Sequence, residues 1–309
     1  MARNTSLANI DFSSYRSHDV GYNKTSVRSI GWNATGSRLA SSYSDKSVRI
    51  WNSERLEYKY STELGGHGYG TVDQLVWDPT QTDRLLTVYS DRFIRFWDYR
   101  SPRPIAELPS KYDNIYATWS PSGKYCAVGS KDDMITFIDT REFQVMETIQ
   151  QPCETNECCW SFSEDLFYMT TGLGTVQIME WPSFKKIHEL KGHTANCFAI
   201  GLSPNGHNLA VGGADAITSI WDTKEWCCVR NITDYSTAVR TLDFSFDSEY
   251  IATGSEDGSI LINEVNSAKQ LRKLSTAGPI TKVSWHPSKQ ILAYTKMQMG
   301  NSGLCLLSP

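Results

Sequence analysis

The chain has 309 residues, 40% of them apolar and 21% charged, with a net charge of −4 and a pI near 5.9. This balance excludes a disordered chain, and it weighs against a protein that grips nucleic acid mainly through phosphates, which needs a basic stripe or face. The eight cysteines fall mostly inside apolar, strand-like runs, as befits a reducing nuclear or cytoplasmic compartment; the amino terminus has no apolar core of signal-peptide length, and no run approaches a membrane span.

About 26 residues precede the first repeat. The clearest unit then runs from Gly66-His67 to Trp97-Asp98, with apolar, β-prone runs at Val72–Trp77, Leu85–Thr87 and Phe93–Trp97 separated by turn residues. That is the pattern of consecutive antiparallel strands. The residues closing the first strand of each unit are Trp32, Trp77, Trp119, Trp160, Leu202, Phe244 and Trp285, spaced 41 to 45 residues apart. A second marker agrees: Asp45, Asp91, Asp132, Gly174 in place of an acid, Asp215 and Asp257 are 41 to 46 residues apart. Two markers with this period predict an all-β, seven-bladed WD-repeat propeller, one domain over residues 1–309. Units three, four and six are degenerate, with Ile138, Glu180 and Asn263 where the terminal Trp belongs.

The last unit shows strands at Ile280–Trp285 and about Gln290–Tyr294, then a loop, then Gly303–Leu307 as its third. No residues remain there for a fourth. An open ring would expose unpaired strand edges, so a segment near Ser6–Tyr15, within the N-terminal stretch 1–26, is expected to supply the closing outer strand.

Three units carry parts of the WD-repeat hydrogen-bond tetrad. The second has His67, Thr87, Asp91 and Trp97; the first offers His18, Ser41, Asp45 and Trp51. The fifth has His193, Asp215 and Trp221 but Val211 where the hydroxyl belongs, which should weaken that blade.

No catalytic, cofactor or metal site is expected. Gly65–Gly70 lacks the spacing and the Lys-Ser/Thr of a phosphate loop. The His, Ser/Thr and Asp residues recur with the repeat and end in Trp, unlike an acyl-transfer triad. Cys153, Cys158 and Cys159 have no second pair or histidine at zinc spacing, and Asp132-Asp133 occupies a turn. What remains is surface. One face of the ring collects the residues four before each aligned aromatic and those just before each turn acid. Arg28, Asp73, Lys131, Phe198, Arg240 and Glu256 from these sets are the candidates for partner contact.

Particular stretches go further. Gly66-His67-Gly68 with Thr71 to Pro79 resembles the second repeat of the THO complex subunit 3 family. So do Val128-Gly129-Ser130-Lys131-Asp132-Asp133 with Thr136-Phe137-Ile138-Asp139, and Ala214-Asp215-Ala216 with Ser219-Ile220-Trp221-Asp222. Cys228-Val229-Arg230 ahead of Ala238-Val239-Arg240-Thr241-Leu242 extends the match, as does the Glu180-Trp181-Pro182 ending of unit four. The resemblance is in register over nearly the whole chain, and departs at a last strand that looks shortened or altered. It implies a non-enzymatic scaffold of the nuclear THO/TREX assembly in mRNP packaging and mRNA export. Its implied partners are the large THO subunits, a DEAD-box helicase and an export adaptor, with RNA contact indirect.

A different class competes. Asp91 through Trp97-Asp98-Tyr99-Arg100 fits the core of the motif by which some WD-repeat proteins dock on a cullin-RING ubiquitin ligase as substrate receptors. Direct RNA binding is a third reading, distinguished by steep salt dependence.

Overall fold

The computed structural model describes residues 10–20, 25–64, 70–298 and 301–309. Its strands form seven four-stranded antiparallel sheets, the blades of one propeller. The innermost strands are Val27–Trp32, Val72–Trp77, Asn114–Trp119, Thr155–Trp160, Cys197–Leu202, Val239–Phe244 and Val283–Trp285. Each aligned residue from the sequence is thus the last residue of an innermost strand. Blade 2 continues outward through Arg84–Tyr89, Phe93–Asp98 and Ala106–Pro109.

Burial explains the patterning. A middle strand such as Arg84–Tyr89 is covered on both faces by neighbouring blades and reads as an unbroken buried run after its first residue. Outer strands such as Gln144–Gln150 are almost wholly exposed. The core lies between blades: Ala40, Ile50 and Leu64 of blade 1 pack on Leu75, Trp77, Leu85 and Trp97 of blade 2. Among the described residues no helix is long and apolar enough to cross a membrane.

Blade 7 is built from both chain regions, as expected, but not from the expected segment. The closing strand is Arg16–Val20, with Arg16 opposite Ser308 and Val20 opposite Leu304. Of the expected Ser6–Tyr15, residues 6–9 lie outside the described residues, and Phe12–Ser14 is a 3-10 turn in which the Asp11 side chain accepts from the Ser13 amide. The closing strand escaped detection because it faces solvent: four of its five side chains are exposed, and it reads as polar. His18 therefore sits opposite Leu306 on the outer edge of blade 7 and takes no part in a blade 1 tetrad. The third strand is also longer than its sequence indicated. It spans Asn301–Ser308 and forms a hairpin with Leu292–Gln298, so the apparent shortening at the C-terminal end leaves an eight-residue strand.

The turn before the closing strand is a lock. Phe12 is buried, its ring 4.9 Å from Tyr15, 5.0 Å from Tyr250 and 6.1 Å from Trp285. Arg272 of blade 6 donates to the carbonyls of Phe12 and Tyr15. At the junction of blades 7 and 1, the His286 ring fills the space beside Gly36. A Cβ there would lie 2.1 Å from the imidazole, and φ of +71° independently favours glycine.

The hairpin turns correct one alignment. The left-handed residue after the turn acid is Lys46, Arg92, Asp133, Gly174, Ala216 or Gly258. Gly174 is therefore the left-handed residue itself, and Leu173 stands in the acid slot. Where Asp45 and Asp257 accept the amides of Ser47 and Ser259, blade 4 uses Thr171 Oγ1, which accepts from Leu173 and Thr175.

Phe12→Ala should cost about 3–5 kcal/mol in urea unfolding. A loss below about 1 kcal/mol would show that the turn contributes little to closure.

Candidate interaction faces and the central channel

The tetrad residues of the three blades are bonded in different ways. In blade 2, Trp97 Nε1 donates to Thr87 Oγ1 at 2.8 Å. Asp91 is engaged by Arg95, two residues before Trp97 and cross-strand from Thr87, at 2.9 Å. Arg95 is almost wholly buried, pairs also with Glu107 at 3.0 Å, and lies over the rings of Tyr89 and Phe93. His67 lies outside the described residues. In blade 1, Trp51 Nε1 reaches Ser41 Oγ at 2.7 Å, while Asp45 closes its own turn on Ser47.

Blade 5 overturns the expectation of an incomplete tetrad. His193 Nδ1 meets Asp215 at 2.9 Å, His193 Nε2 meets Ser219 Oγ at 2.7 Å, and Trp221 Nε1 donates to the same Ser219 Oγ at 2.7 Å. Ser219 pairs cross-strand with Val211, so the hydroxyl comes from the third strand instead of the second. Burial would raise the Asp215 carboxyl, but the His193 bond and neighbouring amides hold it below its ordinary value.

The candidate contact face has a backbone cause. Six inner strands carry an irregularity that skips the position four before the aligned residue, at Arg28, Asp73, Ile115, Asn156, Phe198 and Arg240. Such a bulge leaves one residue out of the ladder and re-aims its side chain. Five of these, Arg28, Asp73, Ile115, Asn156 and Phe198, line one mouth of the central channel together with Thr281, a cavity of about 150 Å³. Arg28 pairs with Asp73 at 2.6 Å across blades 1 and 2. Arg240 pairs with Glu256 at 2.6 Å, its guanidinium 3.6 Å from the centre of the Phe198 ring. Five of the six candidates thus form two compact groups. Lys131 stands apart, exposed at the blade 3 turn, where its amide bonds Asp113 O.

Inside the channel, polar side chains stitch neighbouring inner strands together. Gln74 accepts from Ala117 N, Glu157 from Ile200 N at 3.0 Å, and Asp243 from Trp285 N at 2.7 Å. The aligned tryptophans add a second series: Trp32, Trp77 and Trp119 donate to the carbonyls of Ser284, Gly31 and Val76 in the preceding blades. Lys282 of blade 7 reaches Glu157 of blade 4 at 3.0 Å. Burial would lower Lys282, but Glu157 overrides it and holds the ammonium above its ordinary value. Burial pushes Asp243 up to about 7, against the Trp285 amide and Lys282, which pull it down. Sequence reasoning missed Arg95, Ser219, Asp243 and the Glu157–Lys282 pair; only the first two had a signal, their place two residues before a terminal Trp. Among the described residues no group of three or more metal-ligating side chains converges.

Ser219→Ala should cost about 1–3 kcal/mol in chemical unfolding, because it leaves two buried partners unsatisfied. An unchanged midpoint would mean that His193 and Trp221 find other bonds. For Asp243 the folded value lies above the ordinary carboxylate value, so the native state holds the extra proton. This group's contribution to stability therefore falls as pH rises from about 4 to about 7, and stays low above that. Asp243→Asn keeps an acceptor for Trp285 N. It should raise the melting temperature more at about pH 8 than at about pH 5; an equal shift at both would contradict a raised carboxyl.

A model of the THOC3 beta-propeller domain matches residues 23–295. The chain is 37% identical over 286 residues to THO complex subunit 3 of Arabidopsis thaliana, covering 92% of this chain and 91% of that protein. It is 29% identical over 318 residues to WD repeat-containing protein AAC3 of Dictyostelium discoideum, covering 95% of this chain and 66% of that one. The beta-propeller domain of Cps50 (Swd1) from Myceliophteria thermophila superposes with a TM-score of 0.80 at 18% identity, covering 94% of this chain and 98% of that one, a likeness of fold. With the family match spanning almost every blade, the chain belongs to the THOC3 beta-propeller family as a homologue of THO complex subunit 3.

Proposed function

We propose that the protein is a rigid, non-enzymatic docking subunit of the THO/TREX assembly, supporting mRNP packaging and mRNA export in the nucleus. In this reading the large THO subunits hold the ring face, and a DEAD-box helicase and an export adaptor are reached within the same assembly. The observation that carries it is the family match over residues 23–295, which takes in all the bulged ring-face positions. The groups at Arg28–Asp73 and at Phe198–Arg240–Glu256 offer mixed charge beside an aromatic surface, the composition of a protein contact. Both arginines are paired with carboxylates, which cancels much of the positive field that a phosphate backbone requires.

The local pairing of Arg100 favours the docking reading over the ligase one. Arg100 bonds Asp98 at 2.8 Å and Asp83 at 3.0 Å. Arg141 bonds Asp139 with the same Asp-Xaa-Arg geometry one blade further on. The arginine after Trp-Asp is thus a local turn device that recurs where there is no Trp.

Gentle purification of the tagged protein from its own cells, with nuclease and mass spectrometry, tests the proposal. Large THO subunits should be retained after nuclease, and Arg28→Glu with Arg240→Glu should cut their recovery by about tenfold, while Arg100→Ala leaves it intact. Recovery of a cullin and its adaptor, or loss of all partners on nuclease treatment, would overturn it.

A further inference from the structure

The ion pair between Glu157 and Lys282 divides the channel. Gln74, Glu157 and Lys282 border both the small cavity behind the ring face and a second cavity of about 600 Å³ on the opposite side. The larger one has no residue of the bulged set. Its walls are the aligned tryptophans Trp32, Trp77, Trp119 and Trp160, with aliphatic neighbours such as Leu75 and Leu242. Its rim includes Pro79, Pro121 and Phe162, each two residues beyond an aligned residue and therefore on the face away from the bulges. Phe162 is 52% exposed, a large apolar side chain held at an entrance. The volume and the apolar lining with few polar groups are those of a binding site.

The charge at its inner end is unbalanced. Two carboxylates, Glu157 and Asp243, and one ammonium, Lys282, line the same cavity. Lys282 pairs with Glu157 and attracts Asp243 without reaching ion-pair distance from it, so one cation serves two carboxylates. A carboxylate in an apolar wall gains from an added cation of the right reach. A guanidinium suits such a site better than an ammonium, because it is more weakly hydrated and stacks on aromatic faces.

We propose that this second mouth receives a peptide segment of a protein partner, seating an arginine side chain against Asp243 while an adjoining apolar residue packs on Phe162. The shift of Asp243 to about 7 agrees, since a cation at that point would restore its ionised form. This site lies opposite the ring face, so its failure would leave the docking role proposed above untouched.

The probe is the peptide acetyl-Ala-Phe-Arg-Ala-amide, titrated into the full chain with calorimetry and intrinsic tryptophan fluorescence, to which the four wall tryptophans contribute among the chain's ten. The same peptide with citrulline in place of arginine keeps the shape and removes the charge. The arginine peptide should bind about tenfold tighter than the citrulline one. Asp243→Asn should erase that difference, and Phe162→Ala, at a half-exposed position, should weaken both peptides. Arg240→Glu on the other face should change neither. Absence of binding, equal affinity for the two peptides, or unchanged affinity in either Asp243→Asn or Phe162→Ala would overturn the proposal.

Discussion

Five residue pairs between Arg16–Val20 and Leu304–Ser308 close the ring, and the other six blades depend on them. Each blade buries its faces only against neighbours, so a seventh blade lacking its outer strand would leave an unpaired edge and loosen two interfaces. The main-chain ladder is reinforced from outside the sheet. Phe12 fills an aromatic pocket that includes Tyr250 and Trp285, Arg272 holds the turn carbonyls, and Tyr294 donates to Ser17 within the completed blade. Closure is thus a property of blades 6 and 7 together.

Repetition made most of the fold legible. An aromatic or aliphatic residue every 41 to 45 positions ends each inner strand, because that position must fill the same space between blades seven times. What escaped was whatever the repeat does not constrain. The closing strand is polar because it faces solvent. Ser219 replaces a hydroxyl expected at Val211 because the two are cross-strand partners, and a side chain from either strand reaches the same point. Gly174 was matched to the acids by its place in a turn, yet its backbone conformation assigns it to the next slot, with Leu173 in the acid position at 71% exposure.

The surface divides along the same line. Arg28 and Asp73 occupy equivalent positions in successive repeats, so their meeting follows from the period. The stacking of Arg240 on Phe198 follows from equivalent positions as well, and Glu256 joins them from the turn of the same blade as Arg240. Glu157 and Lys282 are different: they are 125 residues apart and occupy equivalent positions in blades 4 and 7, as far apart as two blades in a ring of seven can be. Periodicity says that both point inward, and only the ring's diameter says that they touch.

That contact gives the channel a shared wall. An occupant of the ring-face mouth meets Lys282 and Glu157 from one side, and an occupant of the opposite mouth meets them from the other. Whatever draws Lys282 away from Glu157 alters the surface offered at the far side. Binding free energies are reciprocal, so the change one occupant makes in the other's affinity is returned in equal measure. Occupants of the two mouths would therefore be coupled through a single ammonium.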